Sequence, residues 1–230
     1  MIEIGGYPVL WHIMKIYSYY GFNDFIICSG YKEHIIKRYF LDYHINNSNI
    51  TFDFSNNTKY IHPSDVEPWK VSIINTGLDT MTGGRVKKIK DFVGDERFML
   101  TYGDGLSDIN IKELIENHRK NNKIATITAV KQEPRFGILN INDNKVTSFR
   151  EKDNLDTSWI NGGYMVFEPE IFDFIQGDDC VLEDILDILC KKNMLNAYKH
   201  TGFWKCMDTV RDKQELELLI KQNNARWKVW

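Results

Sequence analysis

The stretch Thr101-Tyr102-Gly103-Asp104-Gly105-Leu106-Ser107-Asp108 sets a carboxylate between two glycines. It follows the apolar run Phe98-Met99-Leu100 and precedes an amphipathic helix that begins near Asn110. A carboxylate at the end of a buried strand suits a hard cation. The strand fixes it, the glycines let a phosphate approach, and the carboxyl edge of an α/β sheet is where ligands bind. The same residues also make ordinary turn chemistry between a strand and a helix. A second carboxylate, Asp208, lies in Phe203-Trp204-Lys205-Cys206-Met207-Asp208-Thr209, again just before a helix. Asp104 and Asp208 together could share a Mg²⁺, which takes a few oxygens from protein and the rest from substrate phosphates.

The other polar groups that break the hydrophobic pattern are Thr80, Arg85, Glu151, Lys152, Asn161 and Lys205, all at expected strand ends or turns. Arg85 and Lys152 suit phosphate, the first as a bidentate donor and the second as a point charge. Glu151 and Asn161 have the donor and acceptor character that sugar hydroxyls need. Thr76 to Arg85 reads as a ten-residue loop rich in Gly and Thr ahead of a helix from Val86 to about Val93. Such a loop offers N–H groups and hydroxyls to an anion or a base, or simply flexible linkage. No Ser/His/Asp or Cys/His arrangement is evident, which disfavours acyl transfer. The six histidines show no metal-ligand spacing and read as surface or packing residues.

Alternating strands and helices must position these groups. Val9–Tyr20 has the helical period, with Gly21 as its stop; Asp24–Ser29 is a short buried strand; Lys32–Leu41 is a second helix with Ile35, Ile36 and Phe40 inward. Ile50–Pro63 reads as paired strands about Asn56-Asn57, and Val71–Asn75 as a further strand. Ala125–Val130 is β-branched, and Phe136–Ile141 and Lys145–Phe149 form a hairpin about Asn142-Asp143-Asn144. Asn161-Gly162-Gly163 opens the strand Tyr164–Phe167. Helices follow over Pro169–Ile175, Leu182–Cys190 and Val210–Ile220, with a strand at Ala197–His200. The pattern predicts a single α/β domain over residues 1–230, a Rossmann-like, doubly wound mixed sheet. Met1–Pro8 is too short and turn-rich to open such a fold, so one sheet position is expected to be unfilled and the domain N-terminally truncated.

With 43% hydrophobic and 27% charged residues the composition is that of a globular protein, and a net charge of −3 supplies no basic field for nucleic acid. No apolar run reaches the roughly 20 residues of a membrane span, and no signal peptide is recognisable, so a cytoplasmic location is expected. Cys28, Cys180, Cys190 and Cys206 lack CxxC spacing and read as reduced thiols.

Taken in order, Ile2-Glu3-Ile4-Gly5-Gly6-Tyr7-Pro8, Met81-Thr82-Gly83-Gly84-Arg85, Thr101–Gly105, Asn161-Gly162-Gly163 and Phe203–Thr209 resemble the sugar-1-phosphate nucleotidyltransferases, and within them the cytidylyltransferases. The resemblance runs from Met1 to the Trp-rich tail. It implies Mg²⁺-dependent coupling of CTP with glucose 1-phosphate to give CDP-glucose and pyrophosphate, for surface polysaccharides such as O-antigen. It implies Asp104 and Asp208 as metal-binding aspartates, and Thr80, Gly84, Arg85 and Gly103 on the nucleotide. Glu151, Lys152, Asn161, Gly162 and Lys205 fall to the sugar phosphate, and a homo-oligomer is implied. Family members open with a strand, a G-G-x-G-T-R phosphate loop and a Lys-Pro pair, none of which precedes Ile2 here. Each lost preorganised donor of that kind costs on the order of 10²–10³ in rate, so this chain alone is expected to be impaired. The competing expectations are an inactive nucleotide-sugar-binding homologue, and a glycosyltransferase, against which the absence of an Asp-x-Asp pair at Asp104 counts.

Overall fold

A computed structural model describes residues 1–62, 66–131, 138–142, 145–150 and 158–230. In chain order the elements begin with a tiny hairpin, β1 (Glu3–Ile4) and β2 (Tyr7–Pro8), followed by α1 (Val9–Tyr19), β3 (Asp24–Ser29) and α2 (Glu33–Asn46). Next come β4 (Ile50–Asp53), β5 (Thr58–Ile61), β6 (Lys70–Asn75), α3 (Thr82–Lys88) and α4 (Lys90–Val93). The middle holds β7 (Phe98–Thr101), β8 (Gly105–Ser107), α5 (Ile111–Asn121), β9 (Ala125–Lys131), β10 (Ile138–Asn142) and β11 (Lys145–Arg150). β12 (Trp159–Phe167), a 3₁₀ segment over Pro169–Phe174, α6 (Leu182–Lys191), β13 (Leu195–His200), β14 (Trp204–Cys206) and α7 (Val210–Lys221) complete the chain.

The sheet is mixed, as the expected fold class has it, but it is interrupted and not parallel throughout as strand–helix alternation alone signals. One block has the order β13-β9-β12-β7, with β13 parallel to β9 and the other pairs antiparallel. β3 and β6 form a separate parallel pair, and among the described residues no ladder joins it to β7. The hairpins β4–β5 and β10–β11 are antiparallel as expected, the first turning at Asn57 with φ 51°.

Helix ends follow local chemistry. Gly21, at φ 93°, ends the α1 region where it was expected to, since this backbone suits a residue without Cβ. The Asn110 side chain caps α5 by accepting from the Glu113 N–H, and Thr209 and Asp212 form a reciprocal capping box on α7. Three expectations need correction. α2 runs five residues beyond Leu41 and buries none of its side chains fully, and Ile35 is exposed rather than inward. The segment after Pro169 is a 3₁₀ turn rather than an α-helix. Most consequential, α3 starts at Thr82, so Gly83, Gly84 and Arg85 lie inside a helix and not in the loop before it.

Two apolar clusters make the core. One gathers α1, α5, β8, α7 and the tail around Ile16, Leu106, Leu114, Tyr164 and Trp227; the other packs β9 and β12 against α6 through Met165, Phe167, Ile185 and Leu189. His12 sits in the first at 1% exposure. Its Nε2 lies 2.9 Å from the Ile4 carbonyl and its Nδ1 accepts from the Trp227 indole N–H at 3.4 Å. That arrangement fits a neutral ring protonated on Nε2. Burial, reinforced by nearby Lys228 and only partly offset by the Ile4 bond, lowers its pKa below 6.5.

Because the folded pKa is depressed, the unfolded chain binds the extra proton first. This part of the stability is therefore complete above pH 6.5 and declines as the pH falls below it. Denaturant midpoints measured from pH 8 to pH 5 are expected to fall in the acid limb, and His12→Asn to flatten part of that fall; a profile identical to wild type counts against the assignment. A second expectation concerns Gly84. A Cβ there would lie 2.6 Å from the Asp178 carbonyl oxygen and 2.7 Å from its Cα, so Gly84→Ala is expected to lower stability by about 1–3 kcal/mol. Gly103→Ala, with nothing within 4 Å, serves as a control expected to stay within about 0.5 kcal/mol, read by thermal unfolding.

Candidate active site

A short antiparallel pairing assembles the two carboxylates expected to bind metal. β8 and β14 align Gly105 with Cys206, Leu106 with Lys205 and Ser107 with Trp204. Beyond that ladder the Met207 N–H donates to the Asp104 carbonyl at 2.9 Å, so Asp104 and Asp208 end on neighbouring strands at the carboxyl edge of β7. Their proximity is electrostatically legible. Burial raises the Asp104 pKa, and the Asp208 charge raises it further. Asp208 is exposed and accepts from the Cys206 thiol at 3.1 Å. Among the described residues no group of three or more His, Cys, Asp or Glu could hold a metal.

The other end of the ladder is held by Asp108. Its carboxylate accepts the Phe203 N–H at 2.6 Å and pairs with His200 and Arg226, each at 2.9 Å. Ser107 Oγ donates to the Phe203 carbonyl, and the buried Tyr164 hydroxyl donates to the Gly105 carbonyl, each at 2.8 Å.

Asn161-Gly162-Gly163 adjoins this pairing. β12 slips against β9 between Asn161 and Met165, a bulge whose inner glycine, Gly163, has φ 76°. The Asn161 side chain stabilises the bulge by accepting the Gly163 N–H at 2.9 Å. Gly162 donates no side chain because Val130 occupies that space: a Cβ would lie 2.7 Å from it. Its carbonyl accepts the Trp204 indole N–H at 2.8 Å, while the Gly163 carbonyl accepts the Tyr102 N–H. Tyr102 and Trp204 thus tie the bulge to both strands that carry the aspartates. Gly103, exposed, leaves the approach to Asp104 open.

Thr80, Gly84 and Arg85, the residues expected on the nucleotide, form a second group. The loop after β6 runs from Thr76 to Met81 and carries the buried Thr80. α3 then rests its glycine face directly on residues 178–180. Met81 N–H donates to the Asp178 carbonyl and Gly84 N–H to that of Cys180, and the Thr82 hydroxyl accepts the Leu182 N–H at the start of α6. Arg85 points back along the loop. Its guanidinium donates to the Ser29, Gly77 and Leu78 carbonyls and to Thr76 Oγ1, at 2.7 to 3.3 Å. The bidentate fork expected for a phosphate is engaged with the protein's own oxygens. Thr82 and Tyr102 both donate to Glu183, at 3.4 and 2.8 Å, which links this group to the aspartates.

Lys205 does not join either group. Neighbours on a strand face opposite sides, and with Trp204 turned to Gly162 the Lys205 amine pairs with Glu215 of α7, which Arg211 also holds. Glu151 and Lys152 lie outside the described residues. Sequence reading missed Lys88, Asp178, Tyr102 and Glu183. A signal for Lys88 existed, since it is three residues after Arg85 and shares its helix face, but it is visible only when the helix starts at Thr82.

Comparison with known proteins bears on the family and the fold. A family described as nucleotidyl transferase matches residues 1–215. A glucose-1-phosphate cytidylyltransferase of Salmonella typhimurium (strain LT2) is 46% identical over 232 residues, covering 100% of this chain and 90% of its own length. A UTP–glucose-1-phosphate uridylyltransferase of Synechocystis is 29% identical over 185 residues, covering 76% and 45%. The crystal structure of HddC from Yersinia pseudotuberculosis has a TM-score of 0.67 at 21% identity, covering 96% of this chain and 88% of that one. That of UDP-glucose pyrophosphorylase with UDP-glucose has a TM-score of 0.66 at 14% identity, covering 97% and 90%. These structures share its mixed α/β fold. By the family match and by the full-length identity, the chain belongs to the nucleotidyl transferases.

Proposed function

We propose that the protein transfers a cytidylyl group from CTP to glucose 1-phosphate. An oxygen of the sugar phosphate attacks the α-phosphorus of CTP; the bond from that phosphorus to the bridging oxygen of the β-phosphate breaks, and pyrophosphate leaves with CDP-glucose as the product. The observation that carries the reading is the β8–β14 pairing that gathers Asp104 and Asp208 beside the Asn161–Gly163 bulge. The substrate pair is supported by the name of the Salmonella typhimurium relative at 46% identity.

A half-buried carboxylate, Asp104, whose ionisation is disfavoured by burial and by the Asp208 charge beside it, fits a divalent cation, and the donor set of hard oxygens completed by substrate phosphate fits Mg²⁺. A bound Mg²⁺ would neutralise charge on the reacting phosphates. Asp104 and Asp208 would hold it, with Asp104 fixed by Met207 and Gly105 on its neighbours. Transfers of this kind depend mainly on positioning and charge neutralisation. The bulge supplies the rigid edge against which a sugar phosphate is oriented, with Asn161 and Gly162 nearest it and Glu151 and Lys152 following from the resemblance. The nucleotide falls to the open Gly103 and to the loop before α3, which carries Thr80. Gly84 and Arg85 serve that loop from behind, one by close packing and one by gathering carbonyls. With no membrane-spanning helix among the described residues and substrates that are small and water-soluble, a cytoplasmic reaction fits best.

The test is pyrophosphate release by the product of the complete reading frame, supplied with CTP, glucose 1-phosphate and Mg²⁺. Release is expected to stop on chelation, and Asp104→Ala or Asp208→Ala to lower kcat/KM by roughly 10²–10³; Asp104→Ala with normal turnover would refute the metal assignment. Lys205→Met is expected to lower kcat/KM less than about tenfold, because its amine faces α7. A loss comparable to that of Asp104→Ala would instead bring Lys205 onto the substrate.

A further inference from the structure

The loop Thr76–Thr80 is organised by two cations from one helix face. Lys88 Nζ donates to the Thr76 carbonyl and to Thr80 Oγ1, each at 3.0 Å, and to Asp178 Oδ2 at 2.5 Å. An ammonium has three donors, so these bonds use all of them. Arg85 gathers the Gly77 and Leu78 carbonyls at the same time. Three successive carbonyls, Thr76 to Leu78, are therefore turned toward α3.

A trans peptide is planar, with its N–H opposed to its C=O. Turning the Gly77 and Leu78 carbonyls inward sends the N–H groups of Leu78 and Asp79 outward. Neither N–H has a partner among the described residues. Gly77 permits the turn: its φ is 98°, and a Cβ there would meet Thr80 Oγ1 at 2.7 Å. Thr80 is buried, and because its oxygen already accepts from Lys88, its hydroxyl proton remains for donation. The loop consequently presents neutral donors in a row, with its positive charges engaged behind it. Such an edge matches the hydrogen-bond acceptors on a base better than it matches a triphosphate.

We propose that Lys88 is a positioning residue for base selection: it holds the Thr76–Thr80 loop with Leu78 N–H, Asp79 N–H and the Thr80 hydroxyl aimed at adjacent acceptors of the nucleobase. Cytosine offers O2 and N3 side by side as acceptors, whereas uracil carries a proton on N3. The inference rests on the cytidylyl-transfer reading above, and it adds the residue that makes the choice between the two pyrimidines.

The experiment compares kcat/KM for CTP and UTP, with glucose 1-phosphate saturating, in wild type, Lys88→Met, Lys88→Arg, Thr80→Val and the Lys88→Met/Thr80→Val double variant. Lys88→Met is expected to lower the CTP-to-UTP preference about tenfold while the KM for glucose 1-phosphate stays within about twofold. Thr80→Val should do the same, the double variant no more than either, and Lys88→Arg should recover part of the preference. Equal losses with CTP and UTP would assign the loop to phosphate and overturn the proposal, as would an unchanged preference. Backbone amide chemical shifts at Leu78, Asp79 and Thr80 supply a readout independent of turnover. Shifts that move in Lys88→Met support the loop geometry, and unchanged shifts in a folded variant overturn it. If Lys88→Met does not fold, Thr80→Val and Asp178→Asn carry the same comparison. Wild type that turns over neither nucleotide sinks the cytidylyl-transfer reading, and the amide shifts still decide the loop.

Discussion

The site depends on one distant contact, the pairing of β14 with β8. Neither strand exceeds three residues, and they meet across 96 positions of sequence at the Ser107–Phe203 bond. Without that ladder Asp104 and Asp208 are unrelated turn residues. With it they become adjacent charges whose mutual repulsion a cation would relieve. Short ladders are weak alone, so the surroundings contribute. Asp108 closes one end through Phe203, His200 and Arg226, and the buried Tyr164 hydroxyl fixes Gly105 from below.

The remaining geometry follows from where glycine replaces a side chain. On α3, Gly83 and Gly84 allow the helix to touch the backbone of residues 178–180, each with a would-be Cβ under 3.0 Å from it. In β12, Gly162 and Gly163 let the strand bulge toward Tyr102 and Trp204. Both are close backbone approaches, and the two meet at Glu183, which Thr82 reaches from α3 and Tyr102 from the strand end. The loop before α3 and the aspartate pair are held by separate supports that share this one junction.

Much of this was legible in the residues. The strand before Asp104, the helices after Asn110 and Thr209, the antiparallel pairing of β10 with β11 and the Gly21 stop all follow from period, caps and turn chemistry, and the family motifs single out the two carboxylates that the β8–β14 pairing brings together. Long-range pairing was not legible, since nothing in Trp204-Lys205-Cys206 names Gly105–Ser107 as its partner. The start of α3 was misread because two glycines disfavour a helix by local propensity, and tertiary contact with residues 178–180 overrides that preference. Arg85 was read as a ligand from its chemistry and from the family resemblance. Its acceptors became identifiable only when the fold turned four nearby oxygens toward it.

The buried contact between His12 and Trp227 spans 215 positions, so α1 is sealed by an aromatic residue made long after it. On a ribosome, polypeptide emerges at about 5–20 residues per second. The apolar face of α1 thus waits on the order of ten seconds or more for its cover, exposed to any other hydrophobic surface in reach. Burial of this face is consequently a late event, set by the arrival of the segment that carries Trp227 rather than by the speed of the individual helices, and α1 is a segment on which a chaperone would have long to act.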